Sequence, residues 1–280
     1  VVISGDKWLN MNYPKISVVT PSFNQGQFLE KTILSVISQN YSNLEYIIMD
    51  GGSSDNSVEI IKKYEEHLTY WQSKPDGGQS AAINEGFRHA SGDIYCWLNS
   101  DDHFTENTLI TVGTFFNNNK DYLWCAGSGK SITIKGKIVQ ETHPKKLDFE
   151  SLCRWSENEI FQPSIFWRKD LWKTVQGLNE RYENAMDFDL WLKFSKISEG
   201  KIIKQTLSEA IYHKEMKTLK NSHISFVEMN LILCQHGQFE LAKKRLSRVV
   251  KRAYDIDKMF SFITRNPLYR KWREAKENKV

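Results

Sequence analysis

The chain has 280 residues, 40% of them hydrophobic, with 38 Lys and Arg against 34 Asp and Glu. This is enough apolar material for one large domain, or one domain with an appendage, and it excludes disorder throughout. No apolar run approaches the roughly 18 residues that span a bilayer, and the N-terminus lacks the charged-then-apolar pattern of a secretion signal. The basic excess is local: residues 240–280 hold 13 Lys and Arg against 5 Asp and Glu, which leaves the rest slightly acidic. A nucleic-acid-binding core is therefore not expected, although the tail could meet phosphates. Cys96, Cys125, Cys153 and Cys234 show no C-x-x-C spacing and read as buried thiols of a reducing compartment rather than disulfides or a zinc site.

After a lead-in over residues 1–14, Ile16 to Thr20 reads as a fully buried strand, followed by the loop Pro21-Ser22-Phe23-Asn24-Gln25-Gly26. Leu29, Ile33, Val36 and Ile37 then fall on one helical face ending near Asn40. Leu44 to Met49 is a second strand, running into Asp50-Gly51-Gly52-Ser53-Ser54-Asp55 and a helix with Val58, Ile61 and Tyr64, for which Asn56 and Glu59 form a candidate cap. Leu68 to Gln72 is a third strand, ending at Lys74-Pro75-Asp76-Gly77-Gly78-Gln79, and Ala81 to Ala90 a third helix. The fourth strand, Ile94 to Leu98, delivers Asn99-Ser100-Asp101-Asp102. Three alternations of strand and helix predict a parallel sheet with right-handed crossovers. The polar strand ends then converge on one edge, with Ser22, Asn24, Asp50, Asp76 and Asp101 as candidates to line a cleft.

The second half is less regular. Asn107 to Phe116 reads as a helix, Leu123 to Gly127, Ser131 to Ile134 and Lys137 to Val139 as short strands, Ile165 to Trp167 as a buried strand, and Val175 to Glu180 as a loop. In Ala185 to Ser195, Leu190, Trp191 and Phe194 share a helical face with Asp187, which places that carboxylate inward and Asp189 elsewhere. An inward Asp187 is a buried cap or a general base. Neither G-x-G-x-x-G nor G-x-x-x-x-G-K-[ST] occurs, so a bound phosphate needs another counter-charge. Magnesium or manganese held by Asp101 would supply it.

The ordered segments ISVVTPSFNQGQFLEKTILSVISQNY, YIIMDGGSSDNSVEIIKKY, SKPDGGQSAAINEGF, GDIYCWLNSDD and NAMDFDLWLKF, with H-x-x-x-K-T at His213 to Thr218, resemble the inverting glycosyltransferases of family 2. The resemblance covers residues 15–218 and leaves 219–280 as a basic helical appendage. It implies a GT-A type, Rossmann-like, mostly parallel α/β sheet flanked by helices, a nucleotide-sugar donor, UDP by preference, and a divalent metal, Mn2+ or Mg2+. By the same resemblance Pro21, Ser22, Asn24 and Asp50 hold the nucleoside, Asp76 closes that pocket, and Asn99-Ser100-Asp101 stands as D-x-D. Asp101 and His213 are then the metal ligands and Asp187 the catalytic base. Three departures stand out: Asn99 for the first Asp of D-x-D, Gly51 for an acid, and Ile211 where many relatives carry Arg.

These expectations describe direct displacement at the anomeric carbon, with a glycan or lipid-linked glycan acceptor, no nucleic-acid partner, and a role in cell-surface polysaccharide or glycolipid assembly. A sugar-phosphate nucleotidyltransferase and a catalytically inactive nucleotide-sugar-binding module are the rival readings. The first lacks its glycine- and arginine-rich loop in PSFNQGQ, and the second has only Asn99 in its favour. From Glu228 on the chain reads as helices broken at Gly237. Phe239, Ala242, Leu246, Val249 and Val250, and later Phe260, Phe262, Leu268, Tyr269 and Trp272, are interleaved with Lys and Arg. The expected location is cytoplasmic, with peripheral contact at the inner face of the plasma membrane through these helices.

Overall fold

A computed structural model describes residues 13–154, 160–213 and 216–265. Most of the lead-in, the tail residues Leu268, Tyr269 and Trp272, and the side chains of Phe260 and Phe262 lie outside the described residues. The chain divides into two compact units, 1–225 and 226–280.

Among the described residues, the first unit is built on nine strands in one sheet. Strands β1 (Ile16–Ser22), β2 (Leu44–Asp50), β3 (Tyr70–Ser73) and β4 (Ile94–Trp97) pair in parallel, in the order β3-β2-β1-β4. Helices α1 (Gly26–Ile37), α2 (Ser57–Lys63) and α3 (Gln79–His89) connect them. Strands β1 and β4 are buried throughout; β4 is apolar and aromatic along its length, and β1 carries the apolar residues Ile16, Val18 and Val19 beside the small buried polar residues Ser17 and Thr20. The sheet continues β4-β8-β6-β9-β5, with β5 (Asp102–Phe104), β6 (Trp124–Thr133), β8 (Ile165–Arg168) and β9 (Lys201–Tyr212), while β7 (Ile138–Thr142) pairs with β6. Only β6 and β9 are parallel in this half; the ladders β4-β8, β6-β8, β5-β9 and β6-β7 are antiparallel. The architecture is the expected GT-A type, a parallel half joined to a mixed half.

Several local expectations change. The separate short strands at 123–127 and 131–134 are one strand, β6, and it pairs with a further long strand, β9, over residues 201–212. Their mutual register shifts at Gly127, Ser128 and Gly129, and those small residues concealed the continuity. Helix α6 (Lys169–Val175) and strand β5 were not anticipated. Asn56 makes no side-chain cap on α2; the Asp55 carboxylate instead accepts the N–H groups of Ser57 and Gly26 (3.0 and 2.9 Å). Helices α4 (Thr108–Asn118) and α5 (Phe149–Cys153) complete the periphery before α7 (Met186–Ile197).

Helix α7 is held to the sheet by aromatic rings. Trp191 stacks between Trp97 of β4 and Trp124 of β6, with ring centroids 5.4 and 6.4 Å away and planes within 9°. Trp167 of β8 meets it at 60°. All four indoles are fully buried, so the orientation of the first turn of α7 is fixed by dense packing. All four cysteines are free thiols; Cys96, Cys125 and Cys153 are buried.

After the short helix α8 (Lys217–Lys220), the second unit comprises the greater part of α9 (Ser222–Gln235) and α10 (Phe239–Arg265), separated by Gly237 at φ 81° as expected. Within it Arg245 lies over the Phe226 ring. Leu246, Val249, Val250 and Tyr254 of α10 are exposed, among exposed Lys243, Lys244, Arg248, Lys251 and Arg252.

Candidate active site

The order β3-β2-β1-β4 places a topological switch point between β1 and β4, where their onward connections run to opposite sides and leave a crevice at the strands' carboxyl ends. The loop after β1 carries Pro21, Ser22 and Asn24. Asn24 is in a left-handed conformation (φ 52°), which an Asn tolerates better than most residues. Its N–H donates to Ser53 Oγ (2.8 Å) and its Oδ1 accepts the Ser54 N–H (2.9 Å), tying this loop to the one after β2. Ser22 contributes its carbonyl to the Gly51 N–H (2.8 Å), while its buried hydroxyl has no partner among the described residues.

Asp50 is 1% exposed, and its carboxylate accepts four hydrogen bonds: the N–H groups of Gly52 and Ser53 (3.1 and 2.9 Å) and the hydroxyls of Ser53 and Ser73 (2.6 Å each). Asp76 is exposed and accepts the Gly78 N–H (2.7 Å). A Cβ on Gly51 would stand 3.1 Å from the Asp76 carboxylate and 3.3 Å from the Phe23 ring. Gly51 therefore leaves room for these groups to close together, and an acid at 51 would crowd Asp76. Phe23, 60% exposed, is a flat apolar surface beside this pocket that the reading of the sequence passed over.

At the end of β4, Asn99 is the hub of an amide network. Its Nδ2 donates to Asp102 Oδ2 (2.9 Å) and to Gln162 Oε1 (3.0 Å), and its Oδ1 accepts from Gln79 Nε2 (2.8 Å). Gln162 Nε2 in turn donates to the Trp97 carbonyl (3.1 Å), and Lys217 Nζ to Gln79 Oε1 (3.4 Å). Both amide hydrogens of Asn99 are thus engaged, and only its oxygen retains capacity toward a ligand. Gln79 stood in the sequence only as the end of a loop and Gln162 was not singled out, since neither carries a charge. Ser100 is buried, and its carbonyl and that of Asp102 both accept from Thr32 Oγ1 (2.8 and 2.9 Å). Burial, together with the neighbouring Asp101 carboxylate, pushes the Asp102 carboxyl well above its usual range. Through its carbonyl to Thr32 and its carboxyl to Asn99, Asp102 braces the loop.

His213 follows β9 and is 8% exposed. Its Nε2 lies 3.0 Å from Asp101 Oδ2, its ring packs on Phe28 at 4.5 Å, and its Nδ1 has no partner among the described residues. The register that produces this is explicit: Asp102 pairs with Ala210 in β5-β9, and the Ile211 N–H donates to the Asp101 carbonyl (3.3 Å). One carboxylate oxygen and one imidazole nitrogen at this separation fit adjacent ligands of a single ion, since bonds of about 2.1 Å at right angles place their donors about 3 Å apart. Among the described residues no group of three His, Cys, Asp or Glu forms a cage. Such an ion would complete its shell with phosphate oxygens and water, the habit of magnesium.

Asp187 lies in the first turn of α7 and is half-buried; its Oδ1 accepts the Phe188 N–H (2.8 Å). The expected contrast with Asp189 is reversed: Asp189 is the buried acid, 2% exposed, and pairs with Lys193 (2.6 Å). The start of α7 is fastened near the Asn99 network, because Met186 Sδ accepts from the Ser80 hydroxyl (2.7 Å) and Ser80 adjoins Gln79 in sequence.

The fold resembles Staphylococcus aureus TarS residues 1–349, solved in complex with UDP-GlcNAc, with a TM-score of 0.65, 17% identity, and coverage of 84% of this chain and 72% of that one. It also resembles the mannosyltransferase PcManGT of Pyrobaculum calidifontis, in complex with GDP-Man and Mn2+, with a TM-score of 0.54, 16% identity, and coverage of 95% and 87%. In sequence, an uncharacterized glycosyltransferase of Rickettsia felis is 24% identical over 282 residues, which take in 97% of this chain but only 46% of that protein's length.

Replacing Asn99 by Asp, which would restore an ordinary D-x-D, removes two donors and sets a second carboxylate against buried Asp102. The variant is expected to lose roughly 1–3 kcal/mol of stability. A denaturant midpoint equal to that of the unaltered chain would contradict this role for the amide. The model of glycosyl transferase family 2 matches residues 17–174, more than half of the chain, and the protein belongs to that family.

Proposed function

We propose that residues 15–218 are the catalytic domain of an inverting glycosyltransferase that moves a sugar from a nucleotide-sugar donor to an acceptor hydroxyl, in cell-surface polysaccharide or glycolipid assembly. The observation that carries this reading is the approach of His213 to Asp101, 3.0 Å apart at the switch-point crevice. UDP is the proposed carrier; the fold shared with a UDP-GlcNAc complex supports it, and the GDP-Man complex with Mn2+ supports nucleotide-sugar and metal use more broadly.

In this mechanism the nucleoside lies against Pro21, Ser22, Asp50 and Asp76. The Ser22 hydroxyl is available to it, and Asn99 Oδ1 accepts a ribose hydroxyl beside Ser100. Asp101 and His213 would hold Mn2+ or Mg2+, which when bound offsets charge on the leaving diphosphate. Asp187 accepts the proton of the acceptor hydroxyl as that oxygen attacks the anomeric carbon from the face opposite the leaving group, so an α-linked donor yields a β-glycoside. Helix α7, clamped by Trp191, keeps this carboxylate aimed without reorganisation.

Replacing Asp187 by Asn is expected to lower kcat by about 10²- to 10⁴-fold with donor affinity little changed, measured as release of nucleoside diphosphate from a panel of donors. Near-normal turnover would remove Asp187 from the mechanism. Chelation with EDTA is expected to abolish turnover, and Mn2+ or Mg2+ to restore it; full activity in the metal-free protein would overturn the role given to Asp101 and His213.

The helices from residue 219 on are proposed as an appendage that lies on anionic lipid, at the inner face of the plasma membrane, where a lipid-linked acceptor would be presented. No helix among the described residues is long and apolar enough to cross a membrane. The exposed stripe Leu246, Val250 and Tyr254 with its basic flanks has the pattern of an interfacial helix. The full chain should float with liposomes containing phosphatidylserine, and the L246E/V250E variant should remain at the bottom of the gradient. Equal flotation of the two would exclude this surface.

A further inference from the structure

On the flank of the first unit, at the far end of α3, lies a cleft of about 850 Å³ that the mechanism does not use. It falls within the size range of small-ligand sites. Arg88, Lys169, Lys173 and Arg181 line it, against a single carboxylate, Glu180. These cations come from α3, α6 and the loop before α7, so the fold gathers a charge that the slightly acidic sequence of this unit does not announce. Arg88 is shared with Glu85, Lys169 Nζ donates to the Ser91 carbonyl (3.3 Å), and Glu180 accepts from Asn84 Nδ2 (2.8 Å). Exposed Lys173 and Arg181 have no acidic partner in an ion pair among the described residues. The side-chain amides of Gln176 and Asn179 also line the wall, a mixture suited to sugar hydroxyls as well as to charge.

The cleft is linked to the reaction edge by one stripe of α3. Ser80, Asn84 and Arg88 follow at four-residue spacing and share a helical face. The segment leading into α7 is fastened along that stripe. Asn84 accepts the Leu178 N–H and donates to the Leu178 carbonyl, and Ser80 bonds the Tyr182 carbonyl and Met186 Sδ, next to Asp187. Eight residues of helix put Arg88 about 12 Å along the axis from Ser80. The cleft is therefore separate from the nucleoside pocket, yet lies along the wall that carries the proposed base.

We infer that this cleft is a binding site for the anionic part of an extended glycan acceptor, holding sugar units that bear carboxylate or phosphate groups while a more terminal hydroxyl reaches Asp187. The inference rests on the glycosyltransferase reading for the identity of the ligand, but its test does not depend on turnover. Binding of three probes to the full chain is measured by titration calorimetry: tetragalacturonate, its neutral methyl ester, and a short oligomer of glycerol phosphate. UDP binding is measured in parallel. At least one anionic oligomer is expected to bind at least tenfold more tightly than the neutral ester, and the preferred one identifies the charged group. The K173E/R181E variant, altered only at exposed positions outside the proposed catalytic machinery, should lose at least tenfold of that affinity with UDP binding unchanged. Absence of binding by both anionic oligomers, equal binding of the neutral ester, or an unaltered affinity in the variant would each overturn the site. Absence of UDP binding to the unaltered chain would instead count against the donor reading and leave the result for the cleft standing.

Discussion

The pairing of β5 with β9 is the constraint on which the rest of the site depends. Asp101 leaves β4 at the sheet's carboxyl edge, but His213 belongs to the far end of a different strand, 112 residues later. Register alone unites them: Asp102 opposite Ala210, Ile211 bonded to the Asp101 carbonyl, and the histidine two residues beyond. A slip of one residue would turn the side chains of β9 to the other face and carry the imidazole away from the carboxylate. The mixed half of the sheet can thus be understood as the device that returns the chain to the parallel half's active edge.

The parallel half was largely legible from sequence because its central strands β1, β2 and β4 are buried and carry apolar stretches such as Ile94–Trp97, each followed by a polar loop and a helix. The mixed half was not. Strand β5 is three residues long and contains Asp102 and His103, whose burial depends on partners far away in sequence. Burial, with Lys31 nearby, depresses the His103 pKa to about 4, a consequence no local pattern announces. Helical periodicity also misassigned Asp187 and Asp189. Met186, Phe188, Leu190, Trp191, Leu192 and Phe194 are all buried, and Asp189 is buried as well although it shares a polar stripe with Lys193 and Lys196, so polarity does not mark the solvent side of the first turn of α7.

The candidate site was read as a set of residues, and the structure turns that set into two kinds of part. The Ser22 hydroxyl and the His213 Nδ1 have no partner among the described residues, and the Asp101 carboxylate meets the His213 imidazole. Asn24, Asp50, Asn99 and Asp102 spend most of theirs on one another's loops. Residue type alone could not separate these roles, because an Asp at a strand end looks the same whether it meets a ligand or four donors of its own chain. Gln79 and Gln162, neutral and undistinguished in sequence, acquire a role only through Asn99, which bonds to both.

The four hydrogen bonds gathered by Asp50 have a kinetic implication. A loop whose turn is already closed around its own carboxylate would not need to search for its shape if a nucleoside docks there as proposed, so little conformational entropy would be lost on binding. Encounter with the donor would resemble docking against a rigid wall, with fast association and little lag. Any slow rearrangement in the catalytic cycle would then have to arise elsewhere than in this corner of the fold.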